Sequence, residues 1–144
     1  MALKMNAAEL EAFLAREFPQ VARDFAVEAL HEDGVTVRLK VDERHLRPGA
    51  TVSGPTIFSL ADVSIYLAIL ARLGPVALAV ATNASIDFMR KPAAGVDLIA
   101  EARVLKFGRV LVVGDVLIRS EGQEPAVARA SLTYSIPPGA AGTG

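Results

Sequence analysis

The chain contains no cysteine and no tryptophan, and only two histidines among its 144 residues. Lack of cysteine excludes disulfides, thiol nucleophiles and thiolate metal sites, and two histidines do not make a His-rich metal cluster, so no metal and no separate cofactor is expected. Net charge is equally scarce. Fifteen basic against sixteen acidic residues leave −1, which provides no global field for nucleic acid or an anionic membrane and points to small molecules or protein partners. The apolar run Thr56 to Ala71 falls short of the ~20 residues needed to cross a bilayer, is bracketed by Gly54-Pro55 and Gly74-Pro75, and reads as a buried helix of a soluble domain. Glu9, Glu11 and Glu17 interrupt the N-terminal apolar positions, so this stretch reads as an amphipathic helix and not a signal peptide. A reducing cytoplasm fits these absences.

What is present is apolar: 52% of the residues are hydrophobic, enough for one compact domain over residues 1–136. Such a domain buries roughly two thirds of its unfolded surface. Leu10, Phe13, Leu14 and Phe18 recur at helical spacing and Pro19 ends the pattern, predicting a surface helix over residues 6–18. The period then changes to two. Phe25, Val27 and Ala29 alternate up to Glu32-Asp33-Gly34, and Val35, Val37, Leu39 and Val41 alternate beyond it, predicting a β-hairpin. Residues 43–53 carry Pro48 and Gly49 without periodicity and read as a loop. Pro55 suits the first turn of a helix that ends at Gly74-Pro75, with Ser53 or Gly54 as its cap. That helix is apolar on nearly every side, so protein must surround it. Strands follow over 77–89, 96–106, 110–119 and 126–136, and the short turns between them predict antiparallel neighbours. Gly114 inside an apolar strand marks a bulge or a close approach of the helix. The tail 137–144 (PPGAAGTG) is low in complexity and is expected to be flexible.

Within Thr56 to Ala71 the only charged side chain is Asp62. An isolated buried carboxylate costs several kcal/mol unless paired or protonated, which makes Asp62 the leading functional candidate. Ser59, Asp62, Val63 and Tyr66 stand at i, i+3, i+4 and i+7, so they form one semi-polar stripe in which Tyr66 or Ser59 is expected to hydrogen-bond the acid. Pairing with Arg47 is the structural alternative, and it would lower the acid's pKa.

Two strands, a long buried helix and four more strands is the element order of the hotdog fold, an α+β architecture in which a curved antiparallel sheet wraps one helix. The residues carry the likeness further: His45-Leu46-Arg47-Pro48, Val52-Ser53-Gly54-Pro55, Ser59-Leu60-Ala61-Asp62, Ala81 to Ala93 (ATNASIDFMRKPA) and Lys106-Phe107-Gly108-Arg109. Over about residues 20–136 the chain resembles the acyl-CoA thioesterases of the phenylacetate-pathway (PaaI-like) branch of the hotdog superfamily. The resemblance implies that Asp62 attacks the thioester or activates a water, while the Gly54 backbone N–H holds the carbonyl oxygen. It also implies a homodimer, or a dimer of dimers, in which the acid faces the amide of the other protomer. Coenzyme A enters as part of the substrate. Where the family has His, a second Gly and Asn, this chain has Ser53, Pro55 and Arg47. Pro55 removes a donor only from the residue after Gly54, so the oxyanion site survives it.

By the same resemblance Thr82, beside Asn83, stands near the place of a Ser or Thr by the reacting water. Arg90, Lys91, Lys106 and Arg109 are candidates for the phosphates of coenzyme A, against the plain reading of basic residues as solvated strand guards. Ser53 is read first as a helix cap. His31 and His45 are read as surface residues without a role, and Asp87 as a solvated charge on the opposite face of the sheet. The departures from the family leave two rivals, a non-catalytic acyl-CoA binder and a hydratase or dehydratase of the same fold. The latter would need a catalytic histidine, and His45 is the nearest.

Overall fold

A computed structural model describes residues 3–138; from residue 139 onward the predicted flexible tail lies outside the described residues. Helix α1 (Ala7–Glu17) begins with a reciprocal cap, Asn6 Oδ1 accepting from the Glu9 amide at 2.8 Å and Glu9 Oε1 from the Asn6 amide at 2.9 Å. It buries Leu10, Phe13 and Leu14, the apolar face read from their spacing. Pro19 then starts a single turn, α2 (Pro19–Ala22).

Strands β1 (Phe25–His31) and β2 (Gly34–Leu39) form the predicted hairpin. The segment expected to be a loop is more ordered than that: a 3-10 turn at Glu43–His45 leads into a two-stranded ribbon, β3 (Leu46–Arg47) and β4 (Thr51–Val52). Helix α3 (Gly54–Leu73) follows, then β5 (Val80–Phe88), β6 (Leu98–Phe107), β7 (Leu111–Ser120) and β8 (Ala126–Ser135). The six long strands make one antiparallel sheet in the order β1-β2-β6-β7-β8-β5. Its concave face packs on α3, whose Leu60, Ile65, Leu67, Ile69 and Leu70 are fully buried. By length and composition α3 is apolar enough to span a membrane, but here it is the axis of the core.

One topological expectation is corrected. The short stretch after β5 does not turn back into a hairpin; β5 pairs with β8 at the far edge, and β6 pairs with β2. Residues 89–97 cross the ends of the intervening strands, tied down by the Met89 and Arg90 amides on Val127 O and by the Ala93 amide on Ser120 Oγ.

The two sheet edges differ. Along β1, α1 covers the edge and Glu11 Oε2 accepts the Val27 amide at 2.7 Å, beside a bulge between Val27 and Ala29. On β5, eight of nine residues are exposed, and nothing among the described residues covers its outer side.

Gly114 behaves as its place in an apolar strand suggested. A Cβ there would sit 2.6 Å from Ile65 Cδ1 and 2.9 Å from the Arg103 carbonyl oxygen, opposite a β6 bulge between Val104 and Lys106. Lack of a side chain lets α3 lie against the sheet.

Candidate active site

Asp62 sits on α3 at the wall of a cavity of about 600 Å³, a size usual for small-molecule sites. Val63 and Tyr66 share that wall, Tyr134 enters from β8, and residues 77–81 before and within β5 form a second side. The last wall comes from the junction of α1 and α2, where Glu17, Phe18 and Gln20 face in.

The Tyr134 hydroxyl donates to Asp62 Oδ1 at 2.5 Å and lies 3.1 Å from the Asp62 carbonyl oxygen. No other hydrogen bond to the carboxylate occurs among the described residues, so Oδ2 is left for other partners. Burial is the largest influence on Asp62 and pushes its carboxyl above the ordinary 3.8, while the phenol opposes this by stabilising the ionised form. Tyr134 itself is held far above its usual value, by burial first and then by the adjoining carboxylate. The acid is thus poised to take up a proton more readily than a surface aspartate.

Several expectations meet this geometry differently. Asp62, Val63 and Tyr66 do share one cavity, but Ser59 lines a separate, smaller one with Thr56 and His45. Neither Ser59 nor Tyr66 bonds the acid. The Tyr66 hydroxyl donates to the Ala77 carbonyl at 2.9 Å, and its ring lies 6.3 Å from that of Tyr134. Arg47 is exposed on β3 and forms no ion pair with Asp62 among the described residues. His45 is buried, not superficial: its Nδ1 accepts the Asp42 amide at 2.9 Å and its Nε2 lies 3.4 Å from Asp24 Oδ2, outside the acid's cavity. Asp87, as read, is exposed and faces Arg129 at 3.2 Å.

Gly54 is the first residue of α3, and a Cβ there would meet the Phe88 ring at 3.5 Å. Its N–H takes no partner among the described residues, as the first amide of a helix has none within it. Ser53 caps the helix: its Oγ accepts from the Thr56 amide at 3.4 Å and donates to Thr56 Oγ1 at 2.9 Å. Eight residues of helix, about 12 Å, separate Gly54 from Asp62, too far for one carbonyl to meet both within a chain.

Thr82 is the extra residue of a bulge between Ala81 and Asn83, and its hydroxyl donates to the Thr133 carbonyl at 3.3 Å. Thr82 and Asn83 are both exposed on the open β5 strand. Arg90 holds the Ala126 carbonyl through Nε at 2.9 Å, while Lys91, Lys106 and Arg109 are exposed. None of these four basic residues lines the acid's cavity.

Tyr134 was not among the residues singled out from the sequence, although a signal existed. In β8, Ala128, Ala130, Leu132 and Tyr134 share the inward face, and a phenol at the end of such a row needs a buried acceptor.

Comparison with known proteins now bears on this arrangement. Residues 49–127 match the model of the thioesterase superfamily, more than half of the chain. It belongs to that superfamily. A crystal structure of a proposed thioesterase from a Silicibacter species is similar over 96% of both chains, with 57% identity and a TM-score of 0.90. The phenylacetic acid degradation protein PaaI from Thermus thermophilus, in a mutant form, is 28% identical over 83% of this chain and 99% of its own, with a TM-score of 0.70. A thioesterase-like protein of Streptococcus pneumoniae, crystallised with coenzyme A, shares the fold at 20% identity over 89% of this chain and 96% of its own, with a TM-score of 0.74. No curated protein matches the chain. The hotdog architecture and the PaaI-like kinship are therefore those of a thioesterase-superfamily member.

Proposed function

We propose that this superfamily member is a cytoplasmic acyl-CoA thioesterase that acts as a dimer, or a dimer of dimers, through pairing of its open β5 edges. The observation carrying the reading is the Asp62 carboxylate, placed in a cavity with one oxygen held by Tyr134 and the other uncommitted. The blunted β1 edge against the bare β5 edge supports the choice of interface. Phe88 and Met89, exposed at the end of β5 beside the start of α3, would be covered there.

In this reading the acyl group lies in the cavity, and its thioester carbonyl points at the Gly54 amide of the second copy. Asp62 Oδ2 takes a proton from water as the water oxygen bonds to the carbonyl carbon, and the resulting oxyanion rests on that amide at the positive end of α3. When the tetrahedral intermediate collapses, the C–S bond breaks and coenzyme A leaves as a thiolate, which recovers the proton. Direct attack by the carboxylate would give an anhydride hydrolysed in a second step. Ser53 serves as cap. Arg90, Lys91, Lys106 and Arg109, outside the cavity, are available to phosphates at the surface, and Arg47, Thr82 and Asn83 reach only a site completed by the second copy.

Ser53 and Arg47 at the family's His and Asn positions favour one second reading, an acyl-CoA binder without turnover. A panel of acyl-CoA thioesters separates the two by release of free thiol. Turnover above background that falls on Asp62→Asn is expected; tight binding of coenzyme A with no turnover on any chain would favour the binder.

A further inference from the structure

The walls that one protomer gives to the Asp62 cavity carry negative charge only. Glu17 and Asp62 are both acids, Gln20 is neutral, and no lysine, arginine or histidine lines the space. The two hydroxyls present are already committed: that of Tyr66 to the Ala77 carbonyl, and that of Tyr134 to Asp62. From the walls of its own protomer, a carboxylate entering the cavity would meet no cation and no uncommitted hydroxyl.

Glu17 adds repulsion. Tyr66 lies one turn, about 6 Å, further along α3 than Asp62, and the Glu17 charge is felt at its phenol, which it helps to keep protonated. The cavity therefore has the reacting acid on one side and a second negative charge beyond Tyr66. Arg16 is bonded to Glu17 at 3.2 Å, but its guanidinium is largely exposed over the Phe13 ring and is not part of the wall. Solvent screens both partners of that pair, since the Glu17 side chain is itself 42% exposed, and leaves a weakened negative charge at the wall.

Resting on the thioesterase reading above, we infer that Glu17, supplied by the N-terminal helix, sets the charge selectivity of the acyl pocket. Thioesters whose acyl group ends in an uncharged or hydrogen-bond-donating group are admitted, and those ending in a carboxylate are turned away. The substrate class is the coenzyme A thioesters of monocarboxylic acids, and α1 with α2 is a specificity wall as well as a cover for the β1 edge.

The test uses the full-length chain and a pair of thioesters of equal chain length, hexanoyl-CoA and adipyl-CoA, with kcat/KM read from thiol release. Wild type is expected to favour hexanoyl-CoA strongly. Glu17→Gln is expected to raise the adipyl-to-hexanoyl ratio by about two- to five-fold, the effect of removing one partly screened like charge near the pocket, and Gln20→Arg should raise it by placing a cation in the same wall. An unchanged ratio in both folded variants, or a wild type that takes adipyl-CoA as readily as hexanoyl-CoA, overturns the inference while leaving the hydrolase reading intact. No turnover of any thioester by wild type overturns both.

Discussion

Replacing Tyr134 by Phe removes one oxygen and almost nothing else. The ring keeps its packing against Tyr66, at 6.3 Å between centroids, while the 2.5 Å bond to Asp62 Oδ1 is lost. A hydrogen bond to a charged group contributes about 1.5–3 kcal/mol, and this one favours the ionised acid, against the burial that raises its pKa. With the phenol gone, burial acts unopposed and the acid titrates higher. If ionised Asp62 is the base, the acid limb of kcat/KM lies above the ordinary carboxylate range in wild type and moves further up in Tyr134→Phe. On that limb the loss is roughly ten- to hundred-fold, each tenfold corresponding to 1.36 kcal/mol. The assay is thiol release from one acyl-CoA between about pH 4 and 9, with thermal unfolding of both proteins as a control for packing. A limb that stays in place, or moves down, would contradict the assignment of Asp62 as the titrating base.

Three further outcomes follow from the geometry. Gly114→Ala places a methyl 2.6 Å from Ile65 Cδ1 and 2.9 Å from a backbone oxygen that cannot swing aside, so denaturant unfolding should show a loss of about 1–3 kcal/mol; a neutral result would mean that α3 shifts freely on the sheet. Charging the bare edge at two exposed positions, with Ala84→Glu and Ser85→Glu together, should turn a species of at least twice 15.2 kDa into a monomer by analytical ultracentrifugation and abolish hydrolysis, whereas an active monomer would refute the shared site. Asp62→Asn should raise the melting temperature at pH 7, because an acid whose pKa is raised on folding stabilises the fold only while protonated. That gain should vanish below pH 3.8, where folded and unfolded wild type both carry the proton.

The legible parts of this molecule are those written locally. Asp62 stood out as the one charge in an apolar run, the Asp33-Gly34 turn set the hairpin, and Gly114 announced a close approach that the Ile65 contact explains. What escaped depends on long-range pairing. Tyr134 meets Asp62 across 72 residues of sequence, and only the β5–β8 pairing brings residues 80–81 and Tyr134 to the same cavity; residues 89–97 have the composition of a turn, though they cross the sheet. The bulge at Thr82 shifts register by one residue, which no alternation pattern shows. Helical periodicity disclosed which face of α1 is buried, but not that its last turn would wall a cavity beyond the stretch resembling the family. Ser59 failed for a related reason: three residues along a helix turn a side chain by about 60° from its neighbour's direction, enough to place it in a different cavity.

The most direct test of the central claim is the hydrolytic rate of Asp62→Asn, which keeps the side-chain shape and leaves an oxygen for the Tyr134 hydroxyl. A folded dimer that still binds coenzyme A but releases thiol several orders of magnitude more slowly is the predicted result; wild-type turnover by the amide would show that the buried carboxylate does not perform the chemistry.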